Sequence, residues 1–243
     1  MDALIYTAMS GADRALKAQQ VHANNLANID TGGFRANMEV SSSQDMSRFG
    51  YGYDDRHMSQ VEASSISTRT GTLRETGREL DVAVSGDGYL TVQGADGEAY
   101  TRAGAIDVDA AGALTVNGRP LMGEGGPIVL PTYTSVAIGA DGTISVQVPD
   151  GVTMQTVDKL KLVKGEPGAL TKNEEGLIVA RSGQPLDADP TVKVADRHLE
   201  GSNVSAVEEM VATMSLNRSF ELQMKLFKAS DSMNETGNRL ISG

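Results

Sequence analysis

The chain opens on a three- and four-residue repeat. Leu4, Ile5, Ala8, Ala12, Ala15, Leu16, Gln19, His22 and Leu26 fall on one helical face, which predicts a helix over residues 2–28. The stripe is rich in alanine and poor in large side chains. Ordering such a helix costs roughly 1–2 kcal/mol per residue in backbone entropy. Each large apolar side chain returns only about 1.5–3 kcal/mol on full burial. The helix is therefore expected to be marginal alone and to need neighbours. Thr31-Gly32-Gly33 ends the repeat, since glycine takes positive φ at low steric cost, and Phe34 restores an apolar anchor.

Periodicity fades from Ala36 to Thr76. The stretch SSSQDMSRFGYGYDDRH, Ser41–His57, is polar with interspersed Gly and Tyr, and predicts an extended arm or loop that depends on partners for any order. From residue 77 to 200 short alternating runs predict β structure. Turn signals separate them at Ser85-Gly86-Asp87-Gly88, Ala95-Asp96-Gly97, Ala110-Ala111-Gly112 and Asn117-Gly118, the last a strong hairpin signal. GADG occurs at Gly94–Gly97 and at Gly139–Gly142, each time before a short strand. That is repeated hairpin chemistry and not a solenoid period. The runs Lys159–Val163, Leu177–Ala180 and Val192–Val194 are expected to extend the sheet.

Helical spacing returns after Gly201. Ser205-Ala206-Val207-Glu208 fits a capping box, and the helix is expected to reach Met233 or beyond. Its apolar residues form two stripes. One holds Val204, Val207, Val211, Leu222, Leu226, Ala229 and Met233; the other holds Leu216, Phe220, Met224 and Phe227. A surface helix needs one stripe. Two predict partners on both sides: the N-terminal helix on one, another molecule on the Leu216–Phe227 side. The fold class is α+β. N- and C-terminal helices pair as a coiled-coil-like α domain around an inserted all-β domain of short antiparallel strands. The boundaries are 1–35 for the first helix, 36–76 for the arm, 77–200 for the β domain and 201–243 for the second helix.

Composition narrows the picture. The 243 residues contain no Trp and only 4% aromatics, so aliphatic side chains must fill the core. The formal net charge of −11, with no Lys/Arg run, argues against nucleic acid or anionic lipid as partner. The absence of cysteine excludes disulfides, thiolate metal sites and a cysteine nucleophile. MDALIYTAMSGADRALK has neither a basic n-region nor a continuous apolar core, so no cleaved signal peptide is expected. No window holds the roughly 18 apolar residues of a membrane span.

Candidate chemistry is sparse. His22, His57 and His198 lack ligand spacing and read as structural or solvated. Val84-Ser85-Gly86-Asp87-Gly88 lacks the first glycine of a nucleophile elbow and reads as a turn. No phosphate-binding glycine motif appears, and the Asp-Gly turns lack the ladder and final Glu of a calcium loop. Asn-x-Ser/Thr triplets at Asn203, Asn217 and Asn234 read as chance matches. The adjacent pairs Asp54-Asp55 and Glu174-Glu175 read as solvated charge. No catalytic, cofactor or metal site is predicted, and an enzyme is not expected.

Four blocks resemble one known family. NNLANIDTGGFR, Asn24–Arg35, is similar to the signature of flagellar rod, hook and hook-associated axial proteins, matching at Asn25, Leu26, Ala27, Asn28, Thr31, Gly33, Phe34 and Arg35. ELDVAVSGDGYLTV (Glu79–Val92), YTRAGAIDVDAAGALTVNGRPLMG (Tyr100–Gly123) and LEGSNVSAVEEMVATMSLNRSFELQMKLF (Leu199–Phe227) resemble its later blocks, in the same order. Within the family, MDALIYTAM, the modest length and LEGSNVSAVEEMV look most like a proximal rod component, with the distal rod as rival.

The resemblance implies a structural subunit of the bacterial flagellar basal body. It implies export by the flagellar type III apparatus without a cleaved signal, and a place in the periplasmic rod. There the subunit would assemble helically with copies of itself and other rod proteins to transmit torque from motor to hook. It implies no cofactor. Asn24, Asn25, Leu26, Asn28 and Phe34, with Val207, Val211, Leu216, Phe220, Met224 and Phe227, are the expected subunit interface. Amides there could pair across copies without burying charge.

Overall fold

The alanine stripe of the N-terminal segment becomes the buried face of a helix. The computed structural model describes residues 2–45, 57–149, 151, 153–166 and 168–242. The chain divides into two units: residues 1–27, 37–64 and 205–243, and residues 28–36 and 65–204.

The first unit is built on helix α1 (Asp2–Ala27) packed against helix α2 (Ala206–Ser242). Ala8, Ala15 and Ala18 of α1 are buried, Gly11 lies on the same side, and Ser230 of α2 is buried too. Small residues let the backbones approach. A Cβ placed on Gly11 would lie 2.6 Å from the Gln223 side-chain amide. α2 begins as its capping box predicts: the Glu208 N–H donates to Ser205 Oγ at 3.5 Å. It also runs past Met233, to Ser242.

Part of the predicted arm is regular. Strands Asn37–Asp45 and His57–Ile66 form a two-stranded sheet, and the first of them packs on α1. Alternation is weak in these polar strands, so period gave no signal. The middle of the Ser41–His57 stretch, residues 46–56, lies outside the described residues.

The second unit is a set of small antiparallel sheets. The largest has five strands, in the order Leu162–Val163, Tyr89–Gly94, Gly97–Thr101, Ile178–Ala180, Leu170–Lys172. Three-stranded sheets follow from Ile106–Val108, Leu114–Val116 and Arg119–Pro120, and from Ser135–Ile138, Thr143–Gln147 and Gln155–Lys159. The predicted turns join consecutive strands; Asn117 and Gly118 both take positive φ, as a tight hairpin requires. One expectation is corrected. Strand Lys193–Asp196 pairs with Val82–Ser85 as a separate two-stranded sheet and does not extend the five-stranded one.

The core of this unit is aliphatic, as the composition demands. Val82, Leu90, Val92, Ile106, Leu114, Leu121, Ile144 and Leu160 are almost completely buried in one cluster. Tyr89 and Tyr100 sit in a second cluster with Val163, Leu170 and Ile178. The Tyr100 hydroxyl accepts a hydrogen bond from the Leu186 N–H at 2.7 Å, so its polar end is satisfied.

Candidate functional site

The asparagines at the end of α1 act as backbone surrogates. Asn25 is only 1% exposed. Its Oδ1 accepts from the Asn37 N–H at 2.8 Å, and its Nδ2 donates to the Asn37 carbonyl at 3.0 Å. The carboxamide thus pairs with the first residue of the strand as a neighbouring strand would. Nδ2 also donates to Glu209 Oε1 at 3.2 Å, and the second oxygen of that carboxylate contacts His22 Nδ1. His22, read from sequence as structural or solvated, makes a hydrogen-bonded contact that joins the end of α1 to the first turn of α2. Asn24 Oδ1 accepts from the Asn37 amide at 3.2 Å. Lysine or arginine in place of Asn25 could donate but not accept, which is why the helix end carries amides. Asn25 was expected to reach another copy. Its amide is instead satisfied within this chain.

The signature continues into the β unit. The Thr31 N–H and hydroxyl donate to the Asn28 carbonyl and Oδ1, at 3.2 and 3.1 Å. Of the two glycines only Gly33 takes positive φ, at 69°. A Cβ there would also lie 2.2 Å from the Arg102 and Ala103 backbone, so no other residue fits without displacing the chain. The Gly33 N–H donates to the Glu200 carbonyl at 2.7 Å.

Beside it lies a buried charge cluster. Arg35 Nη2 contacts Glu200 Oε1 at 3.0 Å and Arg102 Nη1 contacts Glu200 Oε2 at 2.8 Å; all three side chains are 1–2% exposed. The Gly71 N–H adds a 2.8 Å bond to Oε1. Arg35 also donates to the carbonyls of Thr68 and Arg69, and Arg102 to those of Val84 and Gly86. Burial first, then the like charge of Arg102, holds Arg35 below the usual arginine range, while Glu200 opposes the shift. Asn203 clamps the same region: its Oδ1 accepts from the Ala36 N–H at 2.7 Å and its Nδ2 donates to the Arg69 carbonyl at 2.7 Å.

Phe34 is half-buried under Lys172, whose Nζ stands 3.7 Å from the ring centroid and donates to the Arg35 carbonyl at 2.7 Å. Burial lowers the Lys172 pKa from 10.5 to about 8.

The helix pair shows the opposite of a finished surface. Large apolar side chains face out: on α1 Tyr6, Met9 and Leu16, and on α2 Val207, Met210, Val211, Met214, Leu222, Leu226, Met233 and Leu240. Val207 is 71% exposed, Val211 58%, Leu222 60% and Met233 62%. Those of α2 lie on one side of the helix, closely spaced from Val207 to Met214 and at four- to eight-residue steps from there to Leu240. Leu216 and Phe220 are half-buried; they share a face with Glu209 and Gln223, which touch α1, while Met224 and Phe227 are near the edge at 39% and 37%. The two stripes are therefore placed the other way round from expectation: Leu216 and Phe220 turn toward α1 and Val207 and Val211 turn outward. The physical reason is polar: Glu209, on the face that carries Leu216 and Phe220, meets His22 and Asn25 of α1, and that contact fixes which side of α2 is turned inward. Leu26 and Asn24 are exposed at the end of α1. Glu200, Arg102 and Glu209 were not singled out from sequence, and Asn203 only as a chance Asn-x-Ser triplet. Their partners lie far along the chain, and the only signal was their presence inside the blocks that resemble the family.

Residues 5–35 match the family model described as flagella basal body rod protein, residues 83–146 the flagellar hook protein FlgE/F/G D1 domain, and residues 195–240 the flagellar basal body rod FlgEFG protein C-terminal. The flagellar basal-body rod proteins FlgF of Salmonella typhimurium and of Escherichia coli are each 40% identical over 251 residues, covering 100% of this chain and 99% of the relative. The flagellar basal-body rod protein FlgG of Bacillus subtilis is 30% identical over 258 residues, covering 93% of this chain and 94% of its own. Among the described residues no helix is long and apolar enough to cross a membrane.

Two outcomes are expected from the cluster. Glu200→Gln leaves two buried guanidiniums without a counter-charge and should destabilise the β unit by about 3–5 kcal/mol, read as a lower urea midpoint; an unchanged midpoint would show that the carboxylate is dispensable. Lys172 should make stability rise with pH. Its folded pKa of about 8 lies below the unfolded 10.5, so the folded state releases its proton first. The desolvation cost is then full below pH 8 and relieved between 8 and 10.5. Tyr89 and Tyr100, raised by burial, act oppositely only above pH 10. Urea unfolding at pH 7.5 and 9.5 should show a gain of at most about 1 kcal/mol per pH unit after solvent screening, which Lys172→Met abolishes.

Proposed function

Because the chain belongs to the FlgF family of flagellar basal-body rod proteins, we propose that this structural rod subunit occupies the proximal rod and assembles helically with copies of itself and with other rod proteins. In this reading it lies in the periplasm, reaches it through the flagellar type III export apparatus without a cleaved signal, and transmits torque from motor to hook. No bond is made or broken.

The observation that carries the assembly reading is the inverted packing of the helix pair. Alanine, glycine and serine, with half-buried Leu216 and Phe220, are inside; Val207, Val211, Leu222, Met233 and Leu240 are outside. Large apolar side chains exposed along the length of a helix on a lone chain mark a surface that another protein covers. Each large side chain fully buried there contributes about 1.5–3 kcal/mol, so several together offset the entropy of ordering the helices. Polymerisation and helix ordering are thereby coupled. A chain whose terminal helices are weakly held alone suits passage through an export channel and holds back premature polymers.

The interface in this reading comprises the outward stripe with Val207 and Val211, the exposed Asn24 and Leu26 at the end of α1, and the half-exposed edge at Met224 and Phe227. Leu216, Phe220, Asn25, Asn28 and Phe34 shape it from beneath. The 40% identity to the FlgF proteins of Salmonella typhimurium and Escherichia coli supports the proximal reading, while other FlgF relatives at 25–31% overlap with FlgG relatives at 30% and 32%.

Val211→Glu and Leu222→Glu place charge on exposed positions. The purified variants should keep the wild-type β-unit unfolding midpoint, within about 0.5 kcal/mol. Cells carrying either as their sole copy should fail to complete the rod and should not swim. Normal motility in both would remove the stripe from the interface.

A further inference from the structure

Several asparagines of this chain are held by their side-chain amides. The carboxamide of Asn25 is bonded to the Asn37 backbone, and that of Asn203 to the backbones of Ala36 and Arg69. Asn173 Oδ1 accepts from the Leu177 N–H at 2.9 Å, and Asn28 Oδ1 from the Thr31 hydroxyl at 3.1 Å. Asn117 differs. It stands exposed at the tip of the hairpin that joins Leu114–Val116 to Arg119–Pro120. Among the described residues nothing hydrogen-bonds to its side chain. It also opens the one Asn-Gly step in the sequence, whereas Asn25, Asn173 and Asn203 are followed by Leu26, Glu174 and Val204.

The hairpin needs that glycine. Both loop residues take positive φ, 52° at Asn117 and 76° at Gly118, and glycine does so at low cost. The same choice leaves the Gly118 nitrogen uncrowded. A Cβ built on Gly118 would meet no atom within 4 Å, and the strand pairing ends at Val116 with Arg119, outside the loop. An unheld carboxamide thus precedes an open backbone nitrogen, which is the arrangement that lets the nitrogen attack the side-chain carbonyl. Ring closure must rotate the peptide between the two residues. Only the pairs Thr115–Pro120 and Val116–Arg119 register the short second strand on the first, so little pairing resists a local opening.

We propose that Asn117 is a self-modification site, converted to aspartate and isoaspartate through a succinimide, with water as the co-reactant. The Gly118 nitrogen gives its proton to hydroxide and bonds to Cγ of Asn117. The Cγ–Nδ2 bond breaks, and ammonia leaves with a proton from water, which restores the hydroxide. Water then adds to one of the two ring carbonyls and that carbonyl's bond to nitrogen breaks. Opening at Cγ gives aspartate; opening at the backbone carbonyl gives isoaspartate. Nothing is oxidised or reduced. Either product places a new carboxylate in the same loop as Arg119, whose guanidinium holds Glu175 at 3.0 Å. Isoaspartate also routes the main chain through Cβ. The extra carbon lengthens a tight loop beside the buried Leu114, Val116 and Leu121.

The test is incubation of the purified full-length chain at pH 7 and pH 8, followed by peptide mass spectrometry that separates aspartate from isoaspartate. Asn117 should convert about tenfold faster than any other asparagine, give both products, and convert faster at pH 8. Gly118→Ala, whose added methyl meets no neighbour, should slow the conversion about tenfold. The isoaspartate form should unfold at lower urea than Asn117→Asp, which adds the charge without the extra main-chain carbon. Faster conversion at another asparagine, aspartate as the sole product, a rate indifferent to pH, or an unchanged rate in Gly118→Ala would each overturn the site. A urea midpoint equal to that of Asn117→Asp would overturn its effect on the hairpin. None of these readouts depends on the rod reading.

Discussion

One carboxylate holds together the part of the β unit through which the chain enters and leaves. Glu200 bridges Arg35, just after the first helix, and Arg102, on the strand connection of the five-stranded sheet. Its backbone carbonyl receives Gly33, its side chain receives Gly71, and Asn203 ties Ala36 to Arg69 three residues further on. Buried ion pairs are not in themselves strongly stabilising, because desolvation offsets the attraction. What this cluster adds is register. Segments distant in sequence can meet in only one arrangement if both guanidiniums are to reach the same carboxylate. The cysteine-free, aromatic-poor composition leaves few other means of fixing them.

The helix unit rests on a different balance. Its internal seam sets alanine and glycine of α1 against half-buried Leu216 and Phe220 of α2, and its polar clasp, Asn25 and His22 on Glu209, fixes one end. Many other large side chains are turned outward. Stability is thus unequally distributed along the chain, with a densely packed aliphatic core in one unit and a lightly held helix pair in the other. Under the proposed export of an unfolded chain and its assembly into the rod, this division has a use: the lightly held part is the part that neighbouring subunits would complete.

Much of this was legible in the sequence, and the reasons differ by element. The two helices followed from their spacing and the hairpins from Asn-Gly and Asp-Gly, because those signals are local. The aliphatic core followed from composition. The pairing of Arg35 and Arg102 with Glu200 was not legible, since nothing local says which distant acid neutralises an arginine. The strands flanking residues 46–56 were missed because polar strands show no period. The two apolar stripes of α2 were visible, but not which one α1 covers. That depends on a tertiary contact, Glu209 with His22 and Asn25, which turns the side carrying Leu216 and Phe220 inward. The asparagines at the end of α1 marked an unusual helix end, yet their partner, the backbone of Asn37, is a tertiary fact.

If assembly completes the helix pair, hydrogen exchange on the purified monomer, with sedimentation on the same sample, will show it. Fast exchange is expected across residues 2–27 and 206–242 beside slow exchange in the strands around Leu90, Ile106 and Ile144. Terminal helices as protected as those strands, in a sample that sediments as a monomer, would contradict it.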